Sequence, residues 1–595
     1  MLSANRRLRG AFGSAEPRVN VAGTLLLVLL LFLTGYPLLM LLYGSLRSAP
    51  PGLPGTLSLG GFATAYGDPL TYQTWGNSLL LAGSTTVLST ALAIFFAFTA
   101  TRTDAPLRGQ ILPIMTLTYF VPTIFLAFAW TMLGNPRAGL INVVLMDWFP
   151  GLGPVLNVYS WPGLVLVMSL SNVPFKFLLL LGAFQAMDRA LEEAAHLSGA
   201  GRVQTMLRVN LPILAPTILG VLLLGFVRGL QAFEVPLFLG FPAKIQVLST
   251  RIYDYVSSYS PPRYAEAGAL SVSVVATLIV LVYVQARLLH GRDFVTVTGK
   301  GYRPGTWRLG KAGYLCTAAI VLYALFAFLL PAVQLFLGSF TKVFGLYSWQ
   351  LFTFDNYAVA LSSDLVRRAI LNTLLLAVVG GALAMVFATA VAYVVARTNY
   401  RLRPALDLAI WVPWTLPGVV LGVAMLWAYL SVPGLRSLYG TPWLLLIGVM
   451  VTVLPVGMRV MAGSLVQLGK DLEEGARVHG ASWPQTLARV VAPLVAPSFL
   501  YGWLVVAVII SGELSVPLLL YAPGTETLSI AILQLQTTGK PEAAAAVFSL
   551  VLLAATVLIV LARAAAALLD RWQAGAVTAR SFAKESVVGA AVGGE

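Results

Sequence analysis

The 595-residue chain has little of the chemistry from which cross-links and transition-metal sites are built. It contains one cysteine, Cys316, so no disulfide can form within the chain, and it has only three histidines. Charge is also scarce, because 10% of the residues are charged, against about 25% in soluble domains. Hydrophobic residues make up 58% of the chain. A soluble fold could not hide so much apolar surface, so we expect lipid to be the solvent for much of the chain, and we expect no bound metal.

A nucleotide-binding loop is missing as well. The nearest match, Gly305–Ala312, lacks the Ser or Thr that would follow Lys311 and meet magnesium. It also precedes an apolar run instead of following a strand. We interpret it as a chance match, so the chain is expected to have no catalytic residues, to bind no cofactor itself and not to be an enzyme.

Twelve apolar runs are long enough to span a bilayer, which takes about 20 residues per helix. They lie at 21–43, 77–101, 111–133, 161–185, 214–239, 266–286, 313–338, 370–396, 405–430, 442–466, 495–521 and 541–562. The first run is longer than the apolar core of a cleaved signal peptide, so we interpret it as a retained span. The sequence therefore predicts an all-α membrane protein with about twelve transmembrane helices.

The basic residues set the expected orientation. Lys and Arg number 38 against 23 Asp and Glu, and most of them fall in the segments that are cytoplasmic when the N-terminus lies inside. The positive-inside rule then puts both termini in the cytoplasm. Because these residues are scattered over short loops, with no continuous basic stripe, no nucleic-acid partner is expected.

The two halves of the sequence resemble each other. Matched residues recur at an offset of 294 or 295 up to the third span, and at 281 after it, so the first half carries 14 extra residues there. The matched pairs include Pro37 and Pro331, Gly44 and Gly338, Asn77 and Asn372, Arg102 and Arg397, Pro122 and Pro417, and Pro236 and Pro517. We predict two parallel six-helix domains, residues 1–300 and 301–595, with a transport path between them.

One pair of loops, between the fourth and fifth spans of each half, carries the strongest functional signal. In both, Glu precedes Gly by six residues and Pro by 19. The residues are Glu193, Ala194, Ala195, Gly199, Leu211 and Pro212 in the first loop, and Glu474, Gly475, Ala476, Gly480 and Pro493 in the second. The Glu-Ala-Ala segment favours helix, Gly favours a turn, and Pro fits the first turn of the next helix. The pattern predicts a helix-turn-helix that projects from the bilayer on the cytoplasmic side.

These loops resemble the Glu-Ala-Ala motif of the permease subunits of ATP-binding-cassette (ABC) importers. The first copy departs from it only at Val209, and the second at Gly475, Val490 and Ala492. The resemblance implies a type I importer permease with both halves fused in one chain. It also implies that each loop docks on one subunit of a separate ATPase dimer, which would use ATP and magnesium, and that an external solute-binding protein delivers the solute. The location that it implies is the cytoplasmic (inner) membrane of a bacterium or archaeon.

Three charged residues within the spans are candidates for a substrate path: Arg228, Glu234 and Glu513. The alternatives are a structural ion pair, such as one between Arg228 and Glu234, or placement near the outer interface of the membrane. Lys176 and Arg459 are expected to extend toward the cytoplasm. The segment Gly229–Leu237 resembles the fifth span of fused ferric iron permeases, whereas polyamine and thiamine permeases are related alternatives.

Carboxylate and tyrosine oxygens suit a hard cation such as iron(III). Tyrosines near the predicted outer surface could contribute, although they are more often interfacial anchors. They are Tyr253, Tyr255, Tyr259 and Tyr264.

Two other classes compete with the importer. A secondary transporter driven by an ion gradient can also have parallel six-helix repeats, but it would not need the paired cytoplasmic loops. A membrane scaffold without transport activity would leave the charged residues within the spans unexplained.

Overall fold

The computed structural model describes residues 16–188, 190–289 and 307–553, and these residues form helices with no β-sheet. Nine of the helices are long and apolar enough to cross a membrane. They are Asn20–Ser45, Pro69–Arg102, Trp161–Ala186, Val203–Leu230, Tyr264–Leu288, Ala312–Phe340, Asp364–Arg397, Pro442–Gln467 and Trp483–Ser511. The predicted all-helical membrane fold is confirmed.

Two of the predicted continuous spans, 111–133 and 405–430, are broken in the structure. Arg108–Phe120 meets Thr123–Leu133 at 95°, and Arg403–Thr415 meets Gly418–Leu430 at 110°. The breaks fall at Pro122 and Pro417 and interrupt both helices at equivalent positions. Proline donates no backbone hydrogen bond and disfavours helix in the residue before it. The prediction of continuous spans was therefore wrong at both sites.

Two further predictions placed the ends of helices too late. The predicted spans 214–239 and 495–521 end at Leu230 and Ser511, and in each a non-helical stretch of three residues follows. Short helical segments then resume at Glu234 and Ser515. Counting each bent pair as one span gives up to eleven spans within the described ranges. The predicted run 541–562 begins as the helix Pro541–Leu553, and its remainder lies outside the described residues.

The first helix of each repeat packs against the broken helix of the other repeat, so the two repeats exchange their first helices. The arms Thr123–Leu133 and Gly418–Leu430 are buried, and glycines let the exchanged helices approach them. A Cβ at Gly44 would overlap the indole ring of Trp427, and a Cβ at Gly338 would lie 2.6 Å from Met132 Cε. These glycines are equivalent in the sequence repeat, so the repeat encodes this exchange.

Shorter helices connect the spans. They are Gly60–Gly67, Leu140–Trp148, Ala190–Leu197, Leu248–Ser257, Asp355–Ser362, Lys470–Val478 and Leu528–Thr537. The matched asparagines of the repeat hold two of the connections, since Asn77 Nδ2 donates to Gln246 O at 2.8 Å and Asn372 Nδ2 donates to Glu526 O at 2.9 Å. Each bond ties the start of a span to the loop that precedes a short helix.

Candidate functional site: two helix-turn-helix loops and a central cavity

The first loop is a compact helix-turn-helix. Its helix Ala190–Leu197 ends before Gly199, whose φ of 84° lies in the left-handed region that favours glycine. The amide of Ala200 then donates to Ala195 O at 3.0 Å, which satisfies one carbonyl at the helix end. A second short helix, Arg202–Thr205, leads through a wide helical turn into the next span.

The second loop has the same geometry despite its weaker motif. Helix Lys470–Val478 is followed by Gly480 with a φ of 85°, and Ala481 N donates to Ala476 O at 3.0 Å. The short helix Trp483–Thr486 then continues into the span. Gly475 lies within the helix and does not interrupt it. Glycine in place of the motif's alanine therefore leaves the backbone of the second loop in the same form as that of the first.

Most of the predicted motif residues lie on the outer surface of the two loops. Exposed positions are Glu193, Ala194, Gly199, Pro212, Glu474, Gly480 and Pro493, whereas Ala195, Leu211, Gly475 and Ala476 are partly buried. Apolar side chains are exposed beside them. Leu197 is 90% exposed and Val478, its repeat equivalent, is 73% exposed. Each loop thus presents a small surface with an apolar centre outside the helical bundle.

The glutamate that anchors each loop is the one before the predicted motif residue. Glu192 is buried; its Oε1 accepts a hydrogen bond from Asn210 Nδ2 at 3.1 Å and lies 3.6 Å from Arg102 Nε. In the second loop, Glu473 Oε1 lies 3.7 Å from Arg397 Nε. The sequence motif points to Glu193 and Glu474, so neither anchor was predicted.

The two arginines also hold the ends of the preceding spans. Arg102 Nη2 donates to Phe184 O at 2.8 Å and to Met187 O at 2.6 Å. Arg397 Nη2 donates at 2.5 Å each to the equivalent carbonyls, those of Leu465 and Leu468. Each arginine thereby connects the end of the second span, the end of the fourth span and the loop helix. The matched Arg-Thr pairs of the sequence repeat were the available signal for this contact.

A cavity of about 370 Å³ lies where the helix breaks of both repeats meet. Its lining includes Tyr119, Phe175, Arg228, Glu234, Trp414 and Glu513. The breaks themselves touch, since a Cβ at Gly512 would overlap the ring of Pro122. The structure therefore brings the three predicted path residues to one cavity, at interrupted helices where transporters commonly bind their solutes.

Ser515 links the two carboxylates of the cavity. Its hydroxyl donates to Glu234 Oε1 at 2.9 Å, and its backbone amide donates to Glu513 Oε1 at 3.1 Å. Both glutamates are partly exposed, Glu513 within a non-helical break and Glu234 at the start of the helical segment that follows the other break. The arrangement provides carboxylate oxygens from each repeat within one polar cluster.

Arg228 does not pair with Glu234, so the alternative of a structural ion pair was wrong. Its guanidinium instead lies over the rings of Phe175 and Trp414, at 4.6 Å and 5.0 Å from their centroids. Such cation–π contacts stabilise a guanidinium in the absence of a carboxylate partner. Because Phe175 and Trp414 belong to different repeats, this contact joins the two halves beside the cavity.

The prediction for Lys176 was also wrong. Its side chain is buried between helices, and Nζ donates to Thr86 O at 3.1 Å and to Ser89 Oγ at 2.6 Å. Arg459 lies over the Trp411 ring at 5.6 Å from its centroid. Packing against neighbouring helices therefore positions these two cations.

The described residues contain no group of three or more His, Cys, Asp or Glu side chains that could hold a metal ion. Three of the four tyrosines considered as ligands of a hard cation contact other groups. The Tyr255 ring lies 4.3 Å from the Arg251 guanidinium, and that of Tyr259 lies 4.1 Å from Arg263. Tyr253 packs edge-on against Phe233.

Comparison with known proteins gives a family match over both repeats. The sequence profile described as binding-protein-dependent transport system inner membrane component matches residues 89–292 and again residues 388–574. The two matched regions together cover more than half of the chain.

Two curated relatives are each 30% identical over 71% of this chain. They are the putative ferric transport system permease protein FbpB 1 of Haemophilus influenzae and the ferric transport system permease protein FbpB of Actinobacillus pleuropneumoniae. The matched region spans 66% and 61% of their respective lengths. Among solved structures, a chain of a bacterial alginate ABC transporter in complex with an alginate pentasaccharide-bound periplasmic protein matches with a TM-score of 0.34. It is 22% identical, over 39% of this chain and 84% of that one.

Proposed function

The chain belongs to the family of binding-protein-dependent transport system inner membrane components, and we propose that its two halves act together as the complete permease of an ABC importer. Residues 1–300 and 301–595 would be the two permease domains. The solute would pass between them by ATP-driven alternating access. An external binding protein would deliver the solute. Both termini of the chain would lie in the cytoplasm.

The paired helix-turn-helix loops carry this proposal. Both have a helix, a left-handed glycine and a second short helix at equivalent positions, with an exposed apolar residue just before the turn. Each loop would dock on one subunit of an ATPase dimer, which would use ATP and magnesium. Because each loop is fixed by its arginine to the ends of two spans, movement of the loop would be transmitted to those spans.

Ferric iron is the proposed solute. The carboxylates of Glu234 and Glu513 line the central cavity, and oxygen ligands suit a hard trivalent cation. The permeases named above as relatives are described as ferric transport proteins. The alternative solutes, a polyamine or thiamine, are also cations, so the cavity is equally open to them.

Uptake by membrane vesicles that contain the full chain tests the coupling. Gly199→Leu combined with Gly480→Leu should abolish ATP-linked uptake, because each substitution alters a left-handed turn at the proposed docking surface. The matched control is Gly201→Leu with Gly469→Leu. These glycines also have open space around them but do not have a positive φ.

An ATPase subunit should also co-purify with the unmodified chain. If none does, and if uptake survives depletion of ATP but stops when an uncoupler is added, the chain is an ion-coupled transporter instead. Uptake that is unchanged in the Gly199 and Gly480 variant would separately contradict the role of the loops.

The same vesicles identify the solute. Uptake of radiolabelled iron(III) should fall when Glu234→Gln and Glu513→Gln are combined, because the cavity loses both negative charges. The control is Glu266→Gln, which lies outside the cavity. Uptake of a labelled polyamine or of thiamine, without uptake of iron, would reject the iron assignment and leave the importer mechanism standing.

A further inference from the structure

The anchoring glutamates of the two loops have almost the same partners. Each Oε1 faces the arginine at the end of the second span, and each Oε2 accepts a hydrogen bond from an aromatic side chain. The donor to Glu473 Oε2 is the hydroxyl of Tyr393, at 2.9 Å. The donor to Glu192 Oε2 is the indole Nε1 of Trp307, at 3.0 Å. The acceptor atoms correspond, but the donors come from different parts of the chain.

The repeat explains why the first loop needs another donor. The equivalent of Tyr393, at the same offset of 295 that relates Arg102 to Arg397, is Phe98. Phenylalanine has no hydroxyl, so the first repeat cannot make this hydrogen bond from its own second span. Trp307 packs edge-on against Phe98, with the ring centroids 5.1 Å apart.

Trp307 belongs to the segment that joins the two repeats, and backbone hydrogen bonds fix it on the end of the second span. Its amide donates to Arg102 O at 2.7 Å, and its carbonyl accepts from Asp104 N at 3.2 Å. Leu309 N adds a bond of 2.8 Å to Asp104 Oδ1. Trp307 is 9% exposed, and its indole ring also packs edge-on against His196 of the loop helix. The joining segment is thus in direct contact with the first loop.

A buried carboxylate is stable only when its oxygens are paired or hydrogen-bonded. We propose that Trp307 is a positioning residue for the first loop helix. It supplies, from the joining segment, the hydrogen bond that Tyr393 supplies to the second loop from within its own repeat. The link to transport rests on the proposed coupling function. The orientation of the first loop then depends on the junction between the repeats, and that of the second loop does not.

Hydrogen exchange of the full chain in lipid nanodiscs tests the hydrogen bond. Trp307→Phe keeps an aromatic ring but removes the donor, and exchange of the amides of Ala190–Leu197 should accelerate about tenfold or more. Phe98→Tyr in the Trp307→Phe background should return that rate to near the wild-type value. The matched variant Tyr393→Phe should accelerate exchange of Lys470–Val478 and leave Ala190–Leu197 unchanged.

Two exchange results would overturn the proposal. Wild-type exchange in Trp307→Phe would show that the bond does not hold the helix. Accelerated exchange that Phe98→Tyr does not reverse would show that the indole acts by packing alone. Rescue is the decisive result, because a ring needed only for packing would not be replaced by a hydroxyl at position 98.

Uptake in vesicles separates this proposal from the proposed function. ATP-linked uptake should fall in Trp307→Phe and recover in the Phe98→Tyr double variant. Uptake that stays at the wild-type level in Trp307→Phe, while the Gly199 and Gly480 variant is inactive, overturns the positioning role and leaves the coupling function intact. No ATP-linked uptake by the wild-type chain would overturn the proposed function, and the exchange experiment would still decide the hydrogen bond.

Discussion

Replacement of Glu192 by alanine should release the first loop helix from the membrane domain. The substitution removes the buried carboxylate that accepts hydrogen bonds from Asn210 and Trp307 and pairs with Arg102. Arg102 is left with a buried positive charge whose remaining contacts are two backbone carbonyls. The helix Ala190–Leu197 loses the side chain that connects it to the end of the second span.

The size of the effect follows from the burial of these groups. Removing one partner of a buried ion pair costs about 3–5 kcal/mol, because the other charge is left buried without compensation. The carbonyls of Phe184 and Met187 continue to stabilise Arg102, so we take the lower end, about 3 kcal/mol. At about 1.4 kcal/mol for each factor of ten, local opening should become about a hundredfold more frequent.

Hydrogen exchange of the loop amides measures this opening directly. We expect about a hundredfold faster exchange in Ala190–Leu197 of the Glu192→Ala variant, with the helix Lys470–Val478 unchanged as an internal reference. The charge-matched control is Asp364→Ala, which breaks an exposed ion pair with Arg367. The side chain of Asp364 is 71% exposed and that of Arg367 is 70% exposed. An exposed pair contributes about 1 kcal/mol at most. An acceleration of less than about threefold for Glu192→Ala would refute the anchoring role.

Two further substitutions probe the packing of the spans. Gly44→Ala places a methyl group in the ring of Trp427 and should destabilise the exchanged helix by about 1–3 kcal/mol. It should therefore lower the thermal unfolding temperature in detergent, whereas Gly35→Ala on the same helix meets only ordinary contacts and should not. Lys176→Met replaces a buried ammonium that has no carboxylate partner among the described residues with an apolar side chain of similar length. We expect unchanged or higher thermal stability, and a marked fall would show that its two hydrogen bonds are needed.

Hydropathy predicted where most spans lie but missed the breaks within them. The runs 111–133 and 405–430 are apolar throughout, so a count of apolar residues could not distinguish a continuous helix from two arms at about a right angle. The repeated prolines Pro122 and Pro417 were the visible signal. Proline is tolerated in many membrane helices, and the structure has continuous helices at Pro174 and Pro455. Neighbouring groups can satisfy the carbonyl, four residues earlier, that a proline leaves unpaired, so a proline by itself does not show whether a helix breaks.

The anchoring glutamates show a similar limit. Adjacent glutamates occur in both loops, and helical propensity cannot tell which of the two faces the membrane domain. The motif drew attention to Glu193 and Glu474, which are exposed. The contacts of Arg102 and Arg397 identify Glu192 and Glu473 instead.

The sequence by itself determined that the protein lies in lipid, that its fold is helical and that it consists of two repeats. The length of the hydrophobic runs, the scarcity of charge and the matched residues are local or periodic properties, so they can be read without the tertiary structure. It also located the two loops and their glycine turns, since a left-handed backbone strongly favours glycine. Only the tertiary structure decided which residues meet. The gathering of Glu234, Glu513 and Arg228 at one cavity, the exchange of the first helices and the contact of Trp307 with Glu192 all join residues far apart in the chain. Such contacts depend on how helices pack against one another, which the order of residues along a single helix does not specify.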